Sequence, residues 1–204
     1  MKSLVLVLTG AFLLSTGAVA QEKASREAGD WLVRVGGTYV SPKSNNHDVV
    51  NVDEAVSLTF NGTYMFTNNF GLELLAAMPF EHDINLNADG SKVGSTKQLP
   101  PTLTAQWHFN PIGRIIPYVG AGINYTLFFD ESTTGALQGS TLSLDESWGL
   151  EGQLGVDWQV GSNWFLNLDV RYIQIETDAT LDGVDAGKVK IDPWTLGLNV
   201  GWVF

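Results

Sequence analysis

Apolar and polar residues alternate with period two along most of the chain beyond residue 30. At the carboxy end, Trp194, Leu196, Leu198, Val200, Trp202 and Phe204 share one parity, and Thr195, Gly197, Asn199, Gly201 and Val203 the other. Successive side chains of a strand point to opposite faces, so one face of this segment is continuously apolar and the other small or polar. A soluble sandwich also buries one strand face. Aromatics at both ends of the apolar face, however, suit a strand whose outside is lipid and whose ends meet the headgroups. Eight such runs are found, at 31–40, 56–66, 70–80, 99–109, 117–129, 147–160, 164–175 and 194–204. In the third run, Phe80 shares the parity of the lipid-facing Phe70, Leu72, Leu74 and Ala76.

The runs suffice to cross a bilayer at a tilt, which takes about 9 to 11 residues. Their connectors alternate in length: short near Asn68, Gly113 and Ser162, and long, polar and glycine-containing near Asn46, Gly90, Gly135 and Gly183. Backbone groups in lipid have no partners except one another, so the sheet must close. The expected fold is therefore all-β, an eight-stranded antiparallel transmembrane β-barrel with short periplasmic turns and long extracellular loops. Up-and-down threading puts Trp31, Trp107, Trp158, Trp164 and Trp202 near the short-turn rim, and Trp148 and Trp194 near the other. Both are depths that indole rings prefer.

The amino end changes this picture only by adding a leader. Lys2 precedes the apolar run 4–14, and Ala18-Val19-Ala20 is a small-residue cleavage motif, so residues 1–20 read as a cleaved signal peptide and 21–204 as the barrel. The formal charge of −11, one unit more negative once Lys2 is removed, excludes nucleic acid, whose binding needs basic side chains. The absence of cysteine excludes disulfides, thiolate metal sites and an amino-terminal lipidated cysteine.

An eight-stranded barrel is narrow, with an interior filled by side chains or holding one small ligand. The inward parity places Arg34, Glu73, Gln106, His108, Glu151, Asp157, Asp169 and Arg171 in the lower and middle lumen. Acidic and basic groups confined together persist when paired and hydrogen-bonded, so this set reads as a polar plug; a proton or ion pathway would need a signature that is absent. Toward the long-loop end the inward set becomes apolar: Val40, Leu75, Phe128, Ile173, Ile175 and Ile191 form a candidate ligand funnel. Packing of loops over the mouth is the competing role for these residues.

No catalytic site is expected. His47, His82 and His108 are dispersed, and Glu81-His82-Asp83 has no accompanying nucleophile motif. The histidines lack metal-ligand spacing, and Asp182, Asp185 and Asp192 lack calcium-loop spacing and read as a solvated loop. No cofactor is implied.

Several long strings carry a resemblance: A-G-D-W at 28–31, G-L-E-L-L-A-A-M-P-F-E-H at 71–82, L-P-P-T-L-T-A-Q-W-H-F at 99–109 and P-Y-V-G-A-G-I-N-Y-T-L-F-F at 117–129. S-W-G-L at 147–150, G-V-D at 155–157 and I-D-P-W at 191–194 extend it. Through these the chain resembles the OmpW family of outer-membrane proteins over nearly the whole mature length. The resemblance implies a barrel in a Gram-negative outer membrane, with a narrow apolar channel for small hydrophobic molecules and lateral release into lipid. Leu75 keeps apolar character at a matched inward position, whereas Arg171 places a charge where a wholly apolar channel would have none. The expected partners are outer-membrane lipids and small hydrophobic molecules; monomer and oligomer both stay open. The alternative is a structural or receptor-type outer-membrane protein acting through its extracellular loops.

Overall fold

The computed structural model describes residues 25–44 and 46–204; the expected leader, 1–20, lies outside the described residues. In chain order the strands are β1 (Trp31–Ser41), β2 (Val50–Val52), β3 (Ala55–Met65), β4 (Phe70–Ala77), β5 (Phe80–Leu86), β6 (Lys92–Leu99) and β7 (Thr102–His108). There follow β8 (Ile115–Thr133), β9 (Leu142–Leu144), β10 (Ser147–Gln159), β11 (Trp164–Ile173), β12 (Glu176–Leu181), β13 (Val184–Lys190) and β14 (Trp194–Val203).

Eight of these form the wall, in the order β10-β11-β14-β1-β3-β4-β7-β8, and pairing of β8 with β10 closes it. The closing ladder runs from Ser147↔Thr126 to Trp158↔Ile115. Every wall pair is antiparallel. A closed cylinder leaves no edge groups unpaired in hydrocarbon, which is why alternating segments of this length settle as a barrel. The ends of the barrel strands meet at the short-turn rim, where Trp31 and Phe204 exchange both backbone bonds (N···O 3.0 and 2.9 Å).

The period-two pattern translates directly into in and out. On β7, Thr102, Thr104, Gln106 and His108 are buried while Leu103 and Trp107 are exposed. All seven tryptophans are exposed on the outer surface. Trp164 pairs with Trp202, and Trp31 with Tyr64 beside the 66–69 turn. At the other rim Trp148 packs on Tyr125 and Trp194 on Tyr172, with ring centroids 4.6 and 5.3 Å apart. Two aromatic girdles thus bracket an apolar band. Large inward side chains fit because small residues face them: a Cβ on Gly155 would lie 2.2 Å from the Tyr118 ring, and one on Gly201 would lie 2.3 Å from that of Phe165.

The long connectors are not irregular. β5 and β6 form a hairpin, with β2 added to β5, and β6 pairs with the upper half of β8. β12 and β13 form a second hairpin, joined by β9. The wall therefore continues above the outer girdle as strand-built walls around a mouth. The parity reading fails at one place. Phe80 faces inward, 3% exposed, because the Met78-Pro79 break between β4 and β5 shifts the alternation.

Candidate functional site

The lumen is layered. Its lower and middle part is a network of buried charges. Arg34, from β1, donates to Asp157 (Nη2···Oδ2 3.0 Å), to Glu73 (Nη1···Oε2 3.2 Å) and to the Thr63 hydroxyl at 2.9 Å. Arg171, from β11, donates to Asp169 (Nε···Oδ1 2.8 Å), Glu151 (Nη1···Oε1 3.0 Å) and Glu73 (Nη2···Oε1 2.8 Å). Glu73 thus joins the two arginines with one oxygen each. The Thr104 hydroxyl donates to the second Glu151 oxygen. Gln106 donates to Gln153 at 2.8 Å, and His108 contacts the Gln106 carbonyl oxygen at 3.1 Å while stacking on Tyr118. All eight sequence-assigned polar residues lie in this layer, each at most 4% exposed. A water-filled passage would leave such atoms accessible, so the layer holds no continuous aqueous path.

Two members, Arg26 and Tyr118, were missed from sequence. Arg26, just before β1, enters from the short-turn end, donates to Asp157 at 2.9 Å and lies 4.6 Å from the Phe165 ring centroid. Tyr118 and Asn167 sit on inward parity; Asn167 Nδ2 donates to the Tyr118 hydroxyl (2.9 Å) and to Asp157 (2.8 Å). Parity identifies Tyr118, whereas Arg26 lies outside any alternating run.

Above the network is a small cavity with a polar floor and an apolar ceiling. Thr38, Thr59, Asn61, Asp169, Arg171 and Thr195 form the floor. Val40, Leu75, Phe80, Ile173 and Ile175 form much of the remainder, together with Gln98, Pro100 and Pro193. Its free space is about 20 Å³. Higher still, between the two hairpins, lies an apolar chamber of about 240 Å³ lined by residues such as Val52, Ile84, Val93, Leu144, Val189 and Ile191. A waist separates the two. Val52, Ile173, Ile175, Ala179, Val189 and Ile191 pack as one buried cluster, with Phe128 against it. The six sequence-assigned funnel residues are thereby divided: four line the small cavity, Ile191 lines the chamber, and Phe128 supports the waist. Most of the chamber wall comes from hairpins whose sequences read as polar loops.

The strand pairing of the barrel wall is interrupted beside the small cavity. The β4–β7 ladder ends at Leu75↔Thr102, and the β5–β6 ladder begins at Phe80↔Gln98. Between them, residues 76–79 face 99–101 with no ladder pair. Pro79, Pro100 and Pro101 lie in this stretch, and proline has no N–H to donate. Each side is held to its outer neighbour instead, Met78 N–H to the Leu58 carbonyl and Tyr125 N–H to that of Pro101. Leu75 and Phe80 on one lip, and Gln98 and Pro100 on the other, also line the cavity. Outside, Leu58, Met78 and Leu127 are exposed and apolar.

His82, above the outer girdle, stands behind this window. Its Nδ1 lies 2.6 Å from the Asp53 carbonyl oxygen and its Nε2 2.9 Å from Gln98 Nε2. The carbonyl can only accept, so Nδ1 carries the proton and Nε2 accepts from the Gln98 amide. Burial holds the imidazole below its ordinary pKa of 6.5, against the opposing pull of Asp53 and Asp83. Asp192, expected in a solvated loop, is 8% exposed, accepting from Lys43 at 2.7 Å and from the Ile175 N–H at 3.1 Å.

A closed barrel with these layers can be compared with known proteins. The OmpW family model matches residues 27–204. The chain belongs to the OmpW family. Outer membrane protein W of Escherichia coli K12 is 40% identical to it, over 97% of this chain and 99% of that protein. The crystal structure of OprG from Pseudomonas aeruginosa superposes with a TM-score of 0.76 at 33% identity, covering 90% of this chain and 99% of that one. The solid-state NMR structure of AlkL in lipid bilayers gives 0.67 at 28% identity, covering 93% and 97%. This OmpW-family chain is thus a multi-pass β-barrel of the Gram-negative outer membrane.

Proposed function

We propose that this OmpW-family barrel gives small hydrophobic molecules passage from outside the cell into the outer membrane itself, without catalysis. The observation that carries this reading is the unpaired window between Leu75↔Thr102 and Phe80↔Gln98, set beside a cavity whose floor is sealed. The long-loop end faces outward and the short turns face the periplasm. A molecule enters the upper chamber, where burying apolar surface contributes about 25 cal/mol per Å². The chamber's 240 Å³ exceeds the ~150 Å³ of an apolar cavity that binds benzene. Rotamer changes at Ile175 and Ile191 open the waist. Below it the charged network bars the way to the periplasm, and the window, edged with apolar side chains, leaves a sideways exit toward lipid.

Uptake of an apolar dye by liposomes carrying the purified protein tests this. Leu75→Glu and Phe128→Glu place charge in the cavity wall and at the waist, and each is expected to cut uptake at least about fivefold, since an unpaired buried charge is costly. Unchanged uptake with the barrel intact would remove the passage from the mechanism. The loops could instead engage a partner directly; deletion of the β12–β13 hairpin tip that abolished function while leaving dye uptake untouched would favour that role.

A further inference from the structure

Three residues that line the small cavity each carry a buried polar atom with no hydrogen-bond partner among the described residues: Asn61 Oδ1, Gln98 Oε1 and Thr195 Oγ1. Their residues are 4%, 1% and 5% exposed. Buried polar atoms are nearly always bonded, and an orphan is costly, so three around one small space need a common account. The Gln98 orientation is dictated by its neighbour. His82 Nε2 can only accept, so the amide nitrogen turns to it and the carbonyl oxygen is left without a partner. Two of the three atoms are therefore pure acceptors, and the third is a hydroxyl.

The charged floor offers nothing to an anion. Arg171 spends all three nitrogens, on Asp169, Glu151 and Glu73, and Asp169 stands in the lining with it. The free space of about 20 Å³ holds roughly one or two water-sized groups, since about 10–15 Å³ accommodates one. A carboxylate would meet Asp169 with no free cation. A hydrocarbon would leave all three atoms unsatisfied. A hydroxyl is water-sized, donates to either amide oxygen, and exchanges a bond with the Thr195 hydroxyl.

We infer that the small cavity is a recognition subsite for the hydroxyl of an apolar alcohol. Long-tailed neutral alcohols are then preferred cargo over alkanes and over carboxylates, with the head held at the cavity and the tail lying through the window. This rests on the passage reading and names its substrate class.

The test uses the protein in lipid nanodiscs, with Ile, Val and Thr methyls and Asn and Gln side-chain amides labelled for NMR, titrated with 1-decanol, decane and decanoate. Decanol is expected to shift the Thr195 methyl and the Asn61 and Gln98 amides. Decane is expected to shift only the chamber methyls of Val189 and Ile191. Decanoate is expected to leave the subsite unchanged. The near-isosteric Thr195→Val and Asn61→Leu changes together should weaken decanol binding about tenfold and leave decane binding unaltered, the scale of one or two neutral hydrogen bonds. Thr195→Val alone, which keeps shape and methyls, should show about a threefold loss even if the double variant fails to fold. Equal affinities for decanol and decane, decanol shifts confined to the chamber, or tighter binding of decanoate would each overturn the subsite. If no probe moves even the chamber methyls, the passage reading falls first and the subsite with it.

Discussion

Glu73 shows how much can depend on one inward side chain. It is fully buried and touches both central arginines, so its removal leaves two guanidiniums sharing one dry space. Glu73→Leu is expected to destabilise the barrel by about 3–5 kcal/mol, the usual cost of breaking a buried pair from one side, read from urea unfolding in lipid by tryptophan fluorescence. Glu73→Gln, which keeps the shape and one oxygen able to accept from an arginine, should cost less. His82 offers a pH signature. Its folded pKa lies below 6.5, so the unfolded state binds more protons between the two values. The stability it contributes is complete above 6.5 and falls as pH drops through the folded value. The protection factors of amides across Phe80–Leu86, taken relative to intrinsic exchange at each pH, should therefore fall on acidification, and His82→Gln should flatten the profile. At this scale parity alone placed the charged network, whereas Arg26 and the orphaned oxygens were illegible, because sequence shows which face a side chain takes but not which partner it lacks.

Among the elements, those in lipid were the readable ones. The outer face of a wall strand must be apolar, and that requirement writes the alternation into residues such as Leu103, Ala105 and Trp107. β5, β6, β12 and β13 stand in water on their outer face, carry Glu81, Lys97, Asp178 and Lys188 there, and so read as polar connectors. Pro79 then reversed the phase at Phe80. The same prolines make a prediction. Replacing Pro79, Pro100 and Pro101 by alanine restores three N–H donors along the unpaired stretch. The triple variant is expected to show newly protected amides by hydrogen exchange and dye uptake slowed several-fold; unprotected amides with unchanged uptake would show that proline does not hold the window open.

The whole molecule is a cylinder with greasy walls between two rings of indoles, sealed below and chambered above. Its depth in the membrane is set by those rings. Lipids brominated near the headgroup should therefore quench tryptophan fluorescence more strongly than lipids brominated near the chain ends. The reverse order would mean the rings do not mark the interfaces. Strand count, closure and the tryptophan rims followed from the alternating pattern and connector lengths. The upper chamber did not, because it depends on how two hairpins lean together, and register between distant strands leaves no trace in local order.

The mutual clasp of Trp31 and Phe204 has a consequence for connectivity. With its barrel ends touching, the fold is close to a ring in which the position of the break is arbitrary. A circular permutant, spliced from Phe204 to Ser25 through a few glycines so that Arg26 is kept, and reopened at Ser162, would give every wall strand the same two neighbours and should enclose the same lumen.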